Sequence, residues 1–361
     1  MIALNSNPKQ TGYGTFSHGL ERELRGRGIG IDPRAEASLL VSPTFGLKTF
    51  FAGQRLYCWT MWETTRLPEI VLERIDNFET IFVPHEDNVE QFSEHHPDVK
   101  LLMPGLDYDF WTGTPAKDKP FTFLLIGPRR GGNDLRKGTD LALKAHQLAF
   151  PEGGTNLNVV HTQGRLSPET LRQTYLDSHV YIAPSRGEGW NLLPFQALAL
   201  GRPVIVSDCP GHSQWAKTLP GAYLCPTSLT SSPIGGIAGT WAGDWWDCDL
   251  KALAELMRFV YENYDEAQSD ALLGAEAMRA NLTWPRTANE LLAHVPLGGL
   301  VEGVEVEAKK RPFTAIAARS GKAHIGPDRY TFTKGEPVDL TADALRTLRG
   351  SGAVIDEPVP A

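Results

Sequence analysis

The stretch SRGEGWNLLPFQALALGRPVIVSD, residues 185–208, decides the fold. An apolar run, VYIAP at 180–184, stops at its polar corner, Ser185-Arg186-Gly187-Glu188. An apolar helical segment follows, then Gly201, then a second apolar run, PVIVS. Runs this short, without alternation, read as strands buried on both faces of a parallel sheet. One carboxylate, Glu188, marks the corner, and the helix's strongly polar side chain, Gln196, comes eight residues later.

The same unit recurs on both sides. IALNSN, RLYCWT, TIFVPH and KLLMPG precede it, as do FTFLLIGP and LNVVHT, each ending in a polar, Gly or Pro corner. Between several of them lie helix patterns. Phe16, Leu20 and Leu24 repeat every four residues, residues 139–150 form another helix, and Ser167-Pro168-Glu169 reads as the capped start of a helix reaching about Asp177. Alternating strands and helices mean an α/β fold. A loop-like 107–120 separates two sets of strands. The expectation is two doubly wound, Rossmann-like domains, 1–107 and 121–295, joined by a linker at 108–120 and facing a cleft. Residues 226–249 read as an irregular insertion, a helix break is expected at 281–285, and 296–361 reads as a small β-rich appendage or tail.

A chain of 361 residues is more than one core usually serves. No run approaches the ~18 apolar residues of a membrane span. The N-terminal MIALNSNPKQTGYG lacks the pattern of a secretory signal. The four cysteines are scattered, without a C-x-x-C pair, which argues against zinc and suits a reducing compartment. The expectation is a cytoplasmic protein without a membrane span. A net charge of −8 gives no broad attraction to nucleic acid or anionic lipid.

In such sheets ligands bind at the carboxyl ends of the strands, so the corners are the candidate site. Behind Glu188, the residues Gly189, Trp190, Asn191 and Leu192 open a helix whose first backbone N–H groups form an anion site. A carboxylate just ahead suits neutral hydroxyls attached to a phosphate, with Gln196 within reach of another hydroxyl pair. The plainer alternative is that Glu188 caps the helix and Gln196 packs. After Gly127, the run Arg129, Arg130, Arg136, Lys137 reads either as a diphosphate clamp or as a solvated basic loop. It has neither the P-loop spacing nor G-x-G-x-x-G. Gly12 and Gly14 sit at the turn after the first strand, where small residues let a ligand approach. Glu63, flanked by Trp59 and Trp62, suits sugar binding or proton transfer, or a salt bridge to Arg66. His85 ends a strand and either orients an acceptor or serves structure alone.

These corners, in this order, resemble the GT-B glycosyltransferases of family 4, whose signature is a Glu, seven residues and a second Glu. The segment 185–205 matches it closely, and GPRR…RKG, MWETTRLP, PGLD at 104–107 and TWP at 283–285 also resemble that family. The resemblance spans about 1–295 and is most specific over 120–210. It implies two Rossmann-like domains around a nucleotide-sugar cleft, with retaining transfer to a hydroxyl and no metal or other cofactor. Glu188 would contact the donor sugar's hydroxyls, amides near 190–193 its phosphate, and position 196 the ribose. Arg129 or Arg130, with Lys137, would neutralise the departing diphosphate. Gly12 and Gly14 would let the first domain approach it. The sequence departs from the pattern at Gln196, which loses a charge-assisted bond to two hydroxyls. Glu63 and His85 both stand in the region of the family's N-terminal histidine.

Rival readings are a sugar-nucleotide epimerase on the same fold, a non-catalytic carbohydrate- or nucleotide-binding protein, and a metal-dependent transferase. Two D-x-D strings, Asp107–Asp109 and Asp247–Asp249, fall in the linker and the insertion and read as incidental. The partner expected is a nucleotide-sugar donor. The acceptor stays open between a protein, modified DNA and a glycan. The tail's Lys309, Lys310, Arg311, Arg319, Lys322, Arg329 and Lys334 suit an anionic partner, and its compact 326–354 segment resembles small bacteriophage modules. An expendable tail is the equal alternative, and the acidic whole argues against DNA.

Overall fold

The computed structural model is built on two five-stranded parallel sheets. It describes residues 1–361 apart from 7–11, 44–48, 114–118, 129–134, 163–165, 232–242 and scattered positions from 310 onward. The first sheet has the order β1 (Ala3–Ser6), β2 (Ala37–Val41), β4 (Arg55–Trp59), β5 (Thr80–Val83), β6 (Val99–Leu101). The second comprises β7 (Thr122–Pro128), β8 (Asn156–Thr162), β9 (Val180–Ala183), β10 (Val204–Ser207) and β11 (Ala222–Cys225), in the order β11-β10-β9-β7-β8. The apolar runs become these strands, with β2 and β11 as additions. Sequence pattern misses both, because ASLLV follows an irregular Asp32-Pro33-Arg34 and AYLC is a short run between Gly221 and Pro226.

Side-chain alternation along a strand feeds two cores per sheet. In the first domain Leu39, Val41, Trp59 and Phe82 meet Phe16, Leu20 and Leu24 of the helix Gly12–Gly26. Leu40, Leu56, Cys58, Ile81 and Val83 meet Phe92 on the other face. In the second domain Phe195, Leu198, Val204 and Val206 belong to one layer, and Leu141, Ile182, Ile205 and Leu253 to the other. Each fully buried Leu, Val or Phe contributes about 1.5–3 kcal/mol.

Several expectations change. Helices cover both faces of both sheets, but only the second sheet reverses its strand order, so only it has a switch point. The break at 281–285 is real, and the helix beyond it, Trp284–His294, returns to the first domain. Its Trp284, Ala288 and Leu291 join the core around Leu39. The 226–249 insertion is ordered at its base, where β12 (Thr227–Ser231) and β13 (Asp244–Cys248) pair antiparallel. The tail is an integral layer. A strand at Glu305–Glu307 pairs antiparallel with β3 (Thr49–Phe51), and Leu340, Ala344, Leu345 and Leu348 enter the core around Leu56.

Candidate functional site

In the second sheet β8 lies on one side of β7 and β9 on the other, so the strand order reverses between β7 and β9. Loops leaving adjacent parallel strands at such a point diverge and leave a crevice at their carboxyl ends. The loop after β9 carries Glu188 and the loop after β7 carries Arg136 and Lys137. Gly138 lets the two meet. Its φ is 69°, and a Cβ there would lie 2.0 Å from the Pro184 carbonyl oxygen. Arg186 pins the arrangement from behind, paired with Asp140 at 2.8 Å and Asp247 at 2.7 Å.

Glu188 is 4% exposed and meets Lys137 Nζ at 2.6 Å and Arg136 Nη1 at 3.3 Å. The same Arg136 atom lies 3.1 Å from Glu63 of the first domain and donates to the Gly187 carbonyl at 2.6 Å. Two acids and two cations therefore interlock across the domain boundary. Burial pushes the Glu188 carboxyl up, but Lys137, Arg136 and His212 outweigh it and hold it below the usual carboxylate range. For Glu63 burial wins, and the nearby Glu188 adds to the rise against the pull of Arg136. One carboxylate is thus firmly ionised beside another that resists ionisation.

The first domain approaches through its post-β4 corner. A Cβ on Gly187 would lie 2.0 Å from the Glu63 carbonyl oxygen, and one on Gly189 would lie 2.3 Å from the Met61 side chain. At Gly187, against backbone, only glycine permits this contact; at Gly189 a larger residue would displace the Met61 side chain. The Tyr13 hydroxyl donates to the Met61 carbonyl at 3.3 Å, which brings the start of helix Gly12–Gly26 to the same place. Gly12 and Gly14 lie inside that helix's first turn rather than in a turn before it, with open space beside Gly12.

The remaining candidates distribute as follows. Asn191 holds φ 62° and precedes the helix Leu192–Ala199, with its amide 3.0 Å from His212 Nε2. A non-glycine residue in this conformation marks a backbone held in place by its surroundings. His212, absent from the sequence reading, is buried between Asn191 and Ser207, and burial lowers its pKa to about 4. Trp190 turns its ring into the second domain's core. Gln196 is buried and accepts from the Tyr175 hydroxyl at 3.3 Å, away from the acid–base quartet. Gly127 makes ordinary contacts only, since a Cβ there would have 3.5 Å to Leu125 and Thr139. Arg129 and Arg130 lie outside the described residues. Of the two described cations in that run, Arg136 reaches both carboxylates and Lys137 reaches Glu188.

His85 is fully buried, and burial pushes its pKa down to about 3. Its Nδ1 accepts from the Asn88 amide at 3.2 Å, capping the helix Glu86–Ser93. It lines a cavity of about 290 Å³ that also touches Trp62, Asn88, Trp246 and Glu188. Of the D-x-D strings, Asp107 pairs with Arg22, Asp247 with Arg186, and Asp249 caps the helix Leu250–Glu262. Among the described residues no three His, Cys, Asp or Glu gather as a metal site. No described helix is long and apolar enough to cross a membrane.

Residues 82–230 match the family described as Glycosyl transferases group 1. The chain is 26% identical over 176 residues to the D-inositol 3-phosphate glycosyltransferase of Gordonia bronchialis, covering 48% of this chain and 32% of that protein. It spans under two thirds of the curated relatives it matches, 32% of one and 63% of another. Among solved structures, Anabaena HepE in complex with UDP and glucose superposes with a TM-score of 0.60 at 9% identity, covering 81% of this chain and 98% of that one. WaaG, a glycosyltransferase involved in lipopolysaccharide biosynthesis, gives 0.53 at 11%, covering 81% and 100%. The fold is therefore GT-B, two Rossmann-like domains, and the segment that matches the family model runs from the first domain into the second.

Proposed function

We propose that the chain transfers a sugar from a nucleotide-sugar donor to a hydroxyl acceptor, with retention and without a metal. The observation that carries this is the buried, ionised Glu188 held by Lys137 and Arg136 at the β7–β9 switch point. In transfer the bond from the anomeric carbon to the diphosphate oxygen breaks, and a bond to the acceptor oxygen forms. The acceptor's proton leaves with the nucleoside diphosphate or passes to solvent. Negative charge grows on the departing diphosphate, and cations already in place stabilise it without reorganisation. Lys137 and Arg136 are those cations. Glu188 accepts from donor-sugar hydroxyls, which compete with Lys137 for its oxygens, and the first turn of Leu192–Ala199 offers N–H groups to phosphate. The complexes of HepE with UDP and glucose support a nucleotide-sugar donor by fold analogy.

Gln196 favours a second reading, a protein that binds the donor without turning it over, because its side chain serves Tyr175. A screen of UDP-, GDP-, ADP-, dTDP- and CMP-sugars separates the two, following thermal stabilisation and nucleotide release with and without EDTA. Transfer predicts slow release from one donor, unaffected by chelator and lowered about 100-fold or more in Glu188→Gln. Stabilisation without release supports the binding reading. EDTA-sensitive release overturns metal independence.

A further inference from the structure

The corner that carries Glu188 is stapled from behind by the segment after β10. Ser207 Oγ donates to the Ser185 carbonyl, the Gly211 amide to the Glu188 carbonyl at 3.2 Å, and Trp215 Nε1 to the Trp190 carbonyl at 3.3 Å. A Cβ on Gly211 would lie 2.2 Å from that Glu188 oxygen, so the two loops run in contact. These three bonds hold backbone, and a fourth, at His212, holds a side chain. The tautomer of His212 follows from its neighbours. The Ser207 hydroxyl has one proton, which goes to the Ser185 carbonyl. His212 Nδ1 therefore faces two acceptors, the Ser207 hydroxyl and carbonyl oxygens, each at 3.1 Å, and carries the ring proton. Burial keeps the ring neutral, so Nε2 is left as an acceptor, and the Asn191 amide donates to it at 3.0 Å. Among the described residues Asn191 is the one non-glycine with positive φ, and it directly precedes the helix Leu192–Ala199.

We propose that His212 is a positioning residue of this corner. By accepting from Asn191 it fixes the φ of 62°, and with it the direction of the helix's first amides beside Glu188. His212 is fully buried and touches no substrate; it acts through Asn191. The inference rests on the transfer reading above, in which those amides meet the donor's phosphate. A left-handed backbone at a residue with a Cβ persists only where its surroundings compensate the cost. One net hydrogen bond is of that size, and its loss amounts to about tenfold in binding.

The test separates the two ring nitrogens. His212→Gln places an amide where Nε2 stands and still meets Asn191, whereas His212→Asn reaches Ser207 and leaves Asn191 unmet. Both delete a buried ring, so a role in packing alone lowers both alike. Ligand-observed NMR on the full chain gives affinities for UDP, GDP, ADP and dTDP and for their nucleosides. The inference expects His212→Asn to weaken the diphosphate that binds by about tenfold with its nucleoside unchanged, and His212→Gln to stay within about threefold of the native chain. Asn191→Gly breaks the same bond from its half-buried end, and so reports even where a ring deletion fails to fold. It should also weaken the diphosphate, and adding His212→Asn to it should weaken binding no further. Equal losses in the two position-212 variants, equal losses for nucleoside and diphosphate, an unweakened Asn191→Gly, or additive losses in the double variant overturn the inference and leave the transfer reading standing. A native chain that binds none of the four diphosphates sinks the transfer reading, and the inference with it.

Discussion

At the scale of single residues, position 136 shows what a sequence does not carry. Arg129, Arg130, Arg136 and Lys137 are alike as a run of cations. That Arg136 bridges two carboxylates depends on Glu63, a residue of the other domain, and no local pattern encodes that. Glu188 is different, since a lone acid at a strand-to-helix corner is legible from the run itself. His212 escapes because Cys209-Pro-Gly-His212 reads as an ordinary helix start; its meaning comes from Asn191, which it faces. Two of the buried histidines, His85 and His212, also set much of a pH dependence. His85, with Asp87 nearby, and His212, near Glu188, Lys137 and Arg136, titrate in the fold at about 3 and about 4. An unfolded chain takes up those protons near 6.5, so below that pH the unfolded state binds more protons and stability falls, until the fold itself protonates. Glu188, held low in the fold, adds a further loss below the ordinary glutamate range. Unfolding free energies from urea titrations should therefore decline between pH 7 and pH 4.5, His85 and His212 together contributing up to about 3 kcal/mol per pH unit, and His212→Asn should remove roughly half of that contribution. An unchanged slope would show that His212 is protonated in the fold.

At the scale of elements, strand and helix identity was largely readable and partnership was not. Ser167 accepts from the Thr170 amide and Thr283 from the Arg286 amide, as their positions before helices suggest. Hydrophobic period fixes an element's type but leaves open which sheet it joins. The helix Trp284–His294 follows the second domain in the chain and packs on the first. Its seat is cut by two glycines. A Cβ on Gly19 would lie 2.2 Å from the Trp284 ring, and one on Gly105 would lie 2.2 Å from the Trp284 nitrogen. Gly19→Ala places a better helix former in the helix Gly12–Gly26, worth about 1 kcal/mol in isolation. The clash with a buried indole costs about 1–3 kcal/mol, so the net expectation is a lower Tm in thermal denaturation. A raised Tm would mean that Trp284 moves aside freely.

At the scale of the whole molecule, the tail is a load that the first domain shares. The basic excess after 309 suggests a surface appendage, yet Leu340 and Leu345 lie in the core with Leu56 and Ile81. Such long-range burial has no signature in a weakly alternating stretch. Leu345→Ala should destabilise the chain by about 2–5 kcal/mol in chemical denaturation, as for other buried leucines. A cost near zero would restore the expendable tail. The glycine contact between the domains bears on timing. At Gly187 the Glu63 carbonyl lies against the backbone and at Gly189 the Met61 side chain does, beside the carboxylate of the proposed donor site. If that carboxylate receives the donor, as proposed, the contact between the halves must open to admit it. Rapid-mixing traces should then level off as donor concentration rises, at a ceiling set by the opening step, whereas a rate that climbs without limit would mean an ever-open door. How often the molecule breathes, rather than how often it is struck, would then govern its tempo.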